Sequence, residues 1–230
     1  MCAMAGLVVG VLGLTGLGSS LSQNLLQLAG GSVWLLLIFA AIGCIVLGMG
    51  VPVTATYIIL IILVGPALVT AGISELSAHM FIFYFGTLSF LTPPVCLAVF
   101  VAASIAESNP WKTALYALRF AAMAYMIPFV FVFNDAFLMQ GTAMEVVMAV
   151  FSGIAAVVFL SAGLVGYFFG PVHPVERWLA LAMGIGIFIV ASVMPLSFAG
   201  AWLLLGLWLL SRRQRNHSRL RQQQSLNVTL

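Results

Sequence analysis

Two short polar interruptions have residue types and a spacing that could bind an ion or a solute. The first is the run 48–52, Gly-Met-Gly-Val-Pro, followed by Thr54 and Thr56, and the second is the run 91–94, Leu-Thr-Pro-Pro, preceded by Ser89. Lipid cannot hydrogen-bond backbone groups, so a break at membrane depth is tolerated only where it is buried in protein or lines a cavity. Two such breaks indicate the binding site of a transporter.

The chemistry of the second break favours a hard cation. Pro93 and Pro94 lack backbone N–H groups and disfavour a helical conformation at Thr92, which frees carbonyl oxygens one turn earlier. Carbonyl and hydroxyl oxygens suit Na⁺ rather than a soft metal. Helix packing explains many single Gly/Pro kinks, because both residues are frequent in membrane helices. Two polar breaks flanked by half-length helices favour a site over packing.

The composition around these breaks is that of an integral membrane protein. Of the 230 residues, 63% are hydrophobic and 6% are charged, whereas soluble domains carry about 25% charged residues. The mean hydropathy is +1.22. Since about 20 apolar residues span a bilayer as a helix and such runs recur along the chain, we predict an all-α, polytopic membrane helical bundle.

Polar and Gly/Pro-rich turns divide the bundle into elements. The hairpin over 33–70 is either re-entrant or a pair of tilted spans, and Asn109 is a candidate N-cap before Pro110. We predict, in order, a crossing helix over 3–28 that can break near 16–20, the hairpin, a loop over 71–77, a broken helix over 78–106, an interfacial segment over 113–118, spans over 119–139 and 142–169, and a terminal hairpin over 178–210 that turns at Pro195.

The basic residues predict the orientation in the membrane. Lys and Arg prefer the cytoplasmic side, and five of the eight lie in the tail 211–230. If 178–210 is a hairpin, Lys112, Arg119 and Arg177 fall on the same side as this tail. We therefore expect a cytoplasmic C-terminus, with membrane lipids rather than nucleic acid as partners. The chain then comprises a domain over 1–140, accessory transmembrane helices over 141–210 and the tail.

The remaining polar residues do not form a catalytic site. Asp135 is the only aspartate, so no pair of aspartates can share a proton, and there is no Gly-x-Ser-x-Gly nucleophile elbow. Asp135 is either a functional carboxylate at membrane depth or an outer-end residue that faces water. We interpret the histidines as surface or interface residues and the cysteines, which lack metal-ligand spacing, as small core residues; they are His79, His173, His217, Cys2, Cys44 and Cys96.

Three runs of this sequence resemble the large permease of tripartite ATP-independent periplasmic (TRAP) transporters. They are 47–60, 65–69 and 79–95, the last containing the Leu-Thr-Pro-Pro break. The resemblance covers about residues 1–140 and is nearest to the fused-permease branch that works with TAXI-type binding proteins. Residues 141–230 match only loosely, as the variable C-terminal helices of that branch.

This resemblance implies a Na⁺-coupled elevator transporter of the bacterial inner membrane. Its substrates would be organic anions such as dicarboxylates, delivered by a TAXI-like periplasmic substrate-binding protein. The chain would be the C-terminal portion of an inverted-repeat permease, and its second partner would be the N-terminal permease portion. The alternative is a truncated, non-transporting membrane fragment that acts only in assembly or interaction.

The resemblance also assigns roles by position. The hairpin, 33–69, would be the second re-entrant hairpin of the permease, and the helix N-termini after Pro52 and Pro94 would face a substrate carboxylate through their dipoles. No cofactor other than Na⁺ as the coupling ion is implied. The implied Na⁺ ligands are Gly48, Met49, Gly50, Thr54, Thr92 and Pro93. The implied substrate-binding residues are Pro52, Thr54, Thr56, Ser89 and Pro94.

Overall fold

The computed structural model describes residues 2–167 and 174–193, and it divides the chain into two compact units, residues 1–138 and 139–230. The described part contains ten α-helices and one 3₁₀ helix, Asp135–Leu138. Unit 1 contains α1 Cys2–Thr15, α2 Leu17–Ala29, α3 Val33–Gly48, α4 Val53–Leu63, α5 Gly65–Thr70, α6 Glu75–Leu88, α7 Leu97–Ile105 and α8 Pro110–Phe133. Unit 2 contains α9 Ala143–Val165 and α10 Pro174–Val193.

The lengths of these helices confirm a helical membrane bundle. Within the described residues, α8 and α9 are long and apolar enough to cross a bilayer, and α1 with α2 makes a third candidate span bent by 66°. The bend lies at Gly16, whose φ of 66° is a left-handed conformation that glycine adopts without strain. It falls inside the predicted crossing helix, at the position where a break was expected.

The two longest helices of the hairpin, α3 and α4, are each too short to cross a membrane alone. The 16 residues of α3 and the 11 residues of α4 correspond to about 24 and 16 Å of helix, against a hydrocarbon core of about 30 Å. The predicted second arm is not continuous, because α4 ends at Leu63 and α5 begins at Gly65. Pro66 lies at the start of α5. It has no backbone N–H to donate to the preceding turn, so a regular helix cannot continue through it.

A serine from another helix satisfies the backbone at this second-arm break. The Ser22 hydroxyl of α2 donates to the carbonyl oxygen of Leu63 at 2.9 Å, and both residues are buried. Gly18, one turn earlier on α2, lies so close that an added Cβ would sit 3.0 Å from the carbonyl oxygen of Ile62. Because lipid supplies no donors, a break in α4–α5 requires this contact with α2.

Helix α3 packs inside unit 1 through Leu36, Leu37 and a group of small residues. Ala40, Ala41 and Cys44 are buried, whereas Ile42 and Val46 are more than half exposed. Helices in lipid gain little from burying apolar surface and associate through close packing, for which small side chains are best suited. The exposed aliphatic residues of α3 are therefore suited to face lipid, while its small residues pack inside unit 1.

Helix α6 lies at the centre of unit 1 and packs against α3, α4, α5 and α8. Phe81 and Phe85 of α6 both contact the ring of Phe129 on α8 edge-on, with centroids 5.5 and 5.6 Å apart. Trp34 of α3 stacks on Phe133 of α8 at 4.3 Å. Aromatic pairs with these geometries are worth about 0.5–1.5 kcal/mol each beyond their burial, so they hold α6 and the start of α3 against α8.

Three predicted boundaries in unit 1 are wrong. Helix α6 begins at Glu75 rather than at 78, because the Ser74 hydroxyl accepts the backbone N–H of Ser77 as an N-cap. The interfacial segment over 113–118 is not separate, since α8 runs without a break from Pro110. Its first turn is capped by the predicted Asn109, whose Oδ1 accepts the backbone N–H groups at positions 111 and 112. The span predicted over 119–139 ends at Phe133.

Unit 2 is a pair of helices in close contact. Helix α9 begins after Thr142 with a capping box, in which Thr142 and Glu145 exchange hydrogen bonds, and it ends at Val165 rather than at 169. Helix α10 begins at Pro174, four residues before the predicted 178. The turn at Pro195, the second arm of the terminal hairpin, the tail, His173 and His217 lie outside the described residues.

Two glycines bring α9 and α10 together. A Cβ on Gly163 would lie 2.6 Å from the Cγ of Leu181, and one on Gly184 would lie 2.9 Å from the backbone nitrogen of Leu160 and closer still to its side chain. Each helix therefore places a leucine against a glycine of the other. Arg177 adds a polar contact, donating from Nε to the carbonyl oxygen of Gly163 at 2.8 Å.

Gly184→Ala should destabilise unit 2, because the new methyl group overlaps the backbone of α9. We expect the free energy of unfolding in detergent to fall by about 1–3 kcal/mol, as for other overpacked interiors. Gly186→Ala in the same helix is the matched control, since its Cβ would meet nothing within 4 Å. Denaturant unfolding followed by circular dichroism measures both, and equal stability of the two variants would contradict this packing.

Candidate functional site

The end of the hairpin lies against the break that follows α6. A Cβ built on Gly48, the last residue of α3, would lie 2.8 Å from the Ser89 hydroxyl oxygen and 3.1 Å from the Thr56 methyl group. Gly86 of α6 is similarly close to Thr56, at 3.3 Å. Thr56 and Ser89 are both 1% exposed. The two interruptions recognised in the sequence are therefore one packed site, with backbone in close contact where a side chain would not fit.

The turn at the end of the hairpin comprises residues 49–52. Gly50 has a φ of 78°, a left-handed conformation that strongly favours glycine at this position. Pro52 precedes the first residue of α4 and provides no side-chain cap, so the first N–H groups of α4 have no partner from a capping side chain. The Thr56 hydroxyl donates back to the carbonyl oxygen of Val51 at 3.1 Å, which closes the turn.

The break between α6 and α7 comprises residues 89–96 and is longer than the predicted 91–94. The Ser89 hydroxyl donates to the carbonyl oxygen of Gly86 at 2.6 Å. Within the part of the chain that the structure describes, the carbonyl oxygens of Phe90 and Leu91 accept no hydrogen bond. The break therefore offers carbonyl oxygens close to the proline pair, as the sequence predicted.

The Thr92 hydroxyl has two hydrogen-bond partners. It donates to the carbonyl oxygen of Leu88 at 2.8 Å, and its oxygen lies 2.6 Å from the hydroxyl oxygen of Tyr125 on α8. Tyr125 is half-buried, and its ring lies beside that of Phe85. Sequence reasoning missed Tyr125. The available signal was a phenol hydroxyl in the middle of an apolar span, because such a group needs a hydrogen-bond partner.

The structure thus brings some of the predicted site residues together and leaves others apart. Gly48, Thr56 and Ser89 are in contact, and a Cβ on Gly50 would lie 4.0 Å from the side chain of Val95. Thr92 is joined to α8, as described above. Met49 and Pro93, which are sequence neighbours of these residues, are half-buried, whereas Pro52, Thr54 and Pro94 are exposed. Their roles in binding Na⁺ or substrate stay predictions.

Asp135 is exposed and lies after α8, in the 3₁₀ helix, rather than within a span. Its Oδ1 accepts a hydrogen bond from the Ser77 hydroxyl at 2.9 Å and lies 3.3 Å from that of Ser74. The Ser77 hydroxyl also lies 2.9 Å from the carbonyl oxygen of Phe131. This cluster joins the start of α6 to the end of α8. Of the two interpretations of Asp135, the exposed residue at a helix end is the one observed.

His79 lies away from these contacts, whereas Cys96 is the last residue of the break and its backbone N–H donates to the carbonyl oxygen of Thr92 at 3.2 Å. His79 is half-buried, is hydrogen-bonded through Nδ1 to the hydroxyl of Tyr57, and lies 4.0 Å from the Glu75 carboxylate. It therefore joins α6 to α4, as an interface histidine does. Cys44 and Cys96 are fully buried, which confirms their interpretation as small core residues.

A comparison with known protein families matches residues 1–146. The matching family is described as the tripartite ATP-independent periplasmic transporter, DctM component. The matched range includes the whole of unit 1, with both the hairpin and the break after α6. No curated protein and no solved structure matches the chain.

Gly48→Ala should test the contact between the hairpin and the break. We expect a loss of about 1–3 kcal/mol in the free energy of unfolding in detergent, because the methyl group overlaps Ser89 and crowds Thr56. Gly43→Ala in the same helix is the control, since nothing lies within 4 Å of its Cβ. Adding Ser89→Gly to Gly48→Ala should restore part of the loss. Equal losses for Gly43→Ala and Gly48→Ala would contradict the contact.

Proposed function

Because this chain belongs to the DctM component family of tripartite ATP-independent periplasmic transporters, we propose that it binds the coupling Na⁺ of an organic-anion permease between the hairpin end and the break. The single observation that carries the proposal is the contact of Gly48 with Ser89 and Thr56. It means that the two polar interruptions of an otherwise apolar chain share one site. A multi-pass membrane transporter has a direct use for such a site.

The oxygen atoms at this site favour Na⁺ as the ligand. Thr56, Ser89 and Thr92 each donate their hydroxyl proton to a backbone carbonyl oxygen. Since a hydroxyl has one proton and two lone pairs, each oxygen is then available only as an acceptor or a cation ligand. Together with the carbonyl oxygens of residues 90 and 91, they are ligands of the oxygen-only kind that a hard cation prefers.

The same hydrogen bonds determine which ligand these hydroxyls can bind. Hydroxyls whose protons are already donated cannot donate to a carboxylate, so we assign anion binding to backbone N–H groups at helix N-termini. The start of α4, after the exposed Pro52, is the first candidate. The start of α7 lies at Leu97, after Cys96, rather than directly after Pro94. Thr54, exposed in the first turn of α4, keeps a hydroxyl that can serve either ligand.

The partners follow from the same proposal. A tripartite periplasmic transporter takes its substrate from a soluble periplasmic protein, and the sequence runs that resemble the fused-permease branch favour a TAXI-like one. Dicarboxylates and related organic anions are the proposed substrates, and Na⁺ symport is the proposed coupling. The cluster of basic residues in the tail supports a cytoplasmic C-terminus, and the proposed bacterial inner-membrane location follows from the family.

Thr92→Ala should weaken Na⁺ binding without preventing folding. We expect the half-saturating Na⁺ concentration to rise by about tenfold or more, a loss in the range that removal of a supporting group at a metal site causes. Binding of radiolabelled Na⁺ to the purified full chain in detergent, with choline as the balancing cation, measures this without knowledge of the substrate.

Thr87→Ala is the matched control for Thr92→Ala. Thr87 is exposed on α6 and donates to the carbonyl oxygen of Phe83 at 2.8 Å, so its variant loses the same kind of local hydrogen bond away from the hairpin. Thr92→Ser should keep binding close to that of the unchanged chain. Equal Na⁺ affinities for Thr92→Ala and Thr87→Ala would refute a Na⁺ site at the break and favour a role in assembly alone.

A further inference from the structure

We propose that Tyr125 of α8 is a positioning residue for the Na⁺ site, holding the Thr92 oxygen in the orientation in which it can bind the ion. This inference rests on the proposed function, because it assigns Thr92 to the Na⁺ site. It adds a residue outside both interruptions and outside the set predicted from the sequence. Tyr125 itself does not touch the ion and acts only through Thr92.

A count of protons fixes the direction of the hydrogen bonds. The carbonyl oxygen of Leu88 can only accept, so the single Thr92 proton is used in the 2.8 Å bond to it. The 2.6 Å contact between the two hydroxyls is then a bond in which Tyr125 donates to Thr92. One of the two lone pairs of the Thr92 oxygen accepts this proton, and the other is available to a cation.

Without Tyr125, the bond to Leu88 alone would orient this oxygen. Thr92 lies in the break, so the regular packing of a helical turn does not hold its side chain. The bond from Tyr125 adds a second fixed point, on α8. Outer partners commonly orient ion ligands in this manner, and their mutation typically costs about 10- to 100-fold in metal affinity.

Helix α8 is a suitable place for such a residue. Unlike the break, it is a continuous helix, and several ring contacts fix it against α6. The ring of Tyr125 lies 6.5 Å from that of Phe85, a contact that a phenylalanine at position 125 would keep. Removal of the Tyr125 hydroxyl therefore isolates the hydrogen bond to Thr92 from the packing of the ring.

Tyr125→Phe should raise the half-saturating Na⁺ concentration by about tenfold, the lower end of the loss expected when an outer partner of an ion ligand is removed. The measurement is binding of radiolabelled Na⁺ to the full chain in detergent, in a double-mutant cycle with Thr92→Ala. In the Thr92→Ala background, Tyr125→Phe should cause no further change, because the oxygen that it positions is gone.

Tyr84→Phe is the matched control. Tyr84 packs edge-on against Phe131 with centroids 5.4 Å apart, and its hydroxyl makes no hydrogen bond within the residues that the structure describes. This variant should bind Na⁺ as the unchanged chain does. The unfolding temperature in choline, without Na⁺, reports any purely structural effect of each substitution.

The outcomes distinguish the positioning role of Tyr125 from the existence of the Na⁺ site. If Thr92→Ala weakens Na⁺ binding while Tyr125→Phe does not, the positioning role is refuted and the Na⁺ site stands. The same holds if Tyr125→Phe weakens binding equally in both backgrounds. If Thr92→Ala leaves Na⁺ binding unchanged, the proposed Na⁺ site itself fails. Weaker binding confined to the background with Thr92 supports the inference.

Discussion

A backbone that is interrupted inside a bilayer depends on the protein for its hydrogen bonds, because lipid provides neither donors nor acceptors. The organisation of unit 1 follows from this constraint. Where Pro66 interrupts the second arm of the hairpin, Ser22 donates to the freed carbonyl oxygen of Leu63. Where the chain turns after α3, Thr56 donates to Val51. At each of these two points a nearby hydroxyl donates to a backbone carbonyl oxygen, and the hydroxyl oxygen is left as an acceptor.

This pattern connects stability with transport chemistry. The hydroxyls that hold Thr56, Ser89 and Thr92 in place are also the groups that suit a cation, since their protons are already used. Close packing makes the arrangement compact, because Gly48 and Gly86 have no side chains to separate the hairpin from the break. The same contacts that stabilise the broken elements therefore bring oxygen atoms together without burying any ionised side chain.

Local signals were sufficient for part of this fold. Asn109 before Pro110 predicted the start of α8, and the Gly/Pro runs predicted both interruptions, because caps and breaks depend on neighbouring residues. The division of the second arm at Gly65 was missed although Pro66 is visible in the sequence. The break there depends on Ser22, which donates to the carbonyl oxygen of Leu63 and lies 41 residues away along the chain. Tyr125 was missed for the same reason, since its partner Thr92 lies in the break, 33 residues away along the chain.

The cluster formed by Asp135 with Ser74 and Ser77 has a mechanical consequence. It fastens the first turn of α6 to the segment that follows α8, so the chain between them, with the break in its middle, is closed into a loop. Bending at residues 89–96 would then leave the fastened end in place and displace the opposite end, where α7 meets the start of α8. Asp135 thus helps to hold α6 and α8 together at this end, a structural role for a carboxylate that requires no contact with ion or substrate.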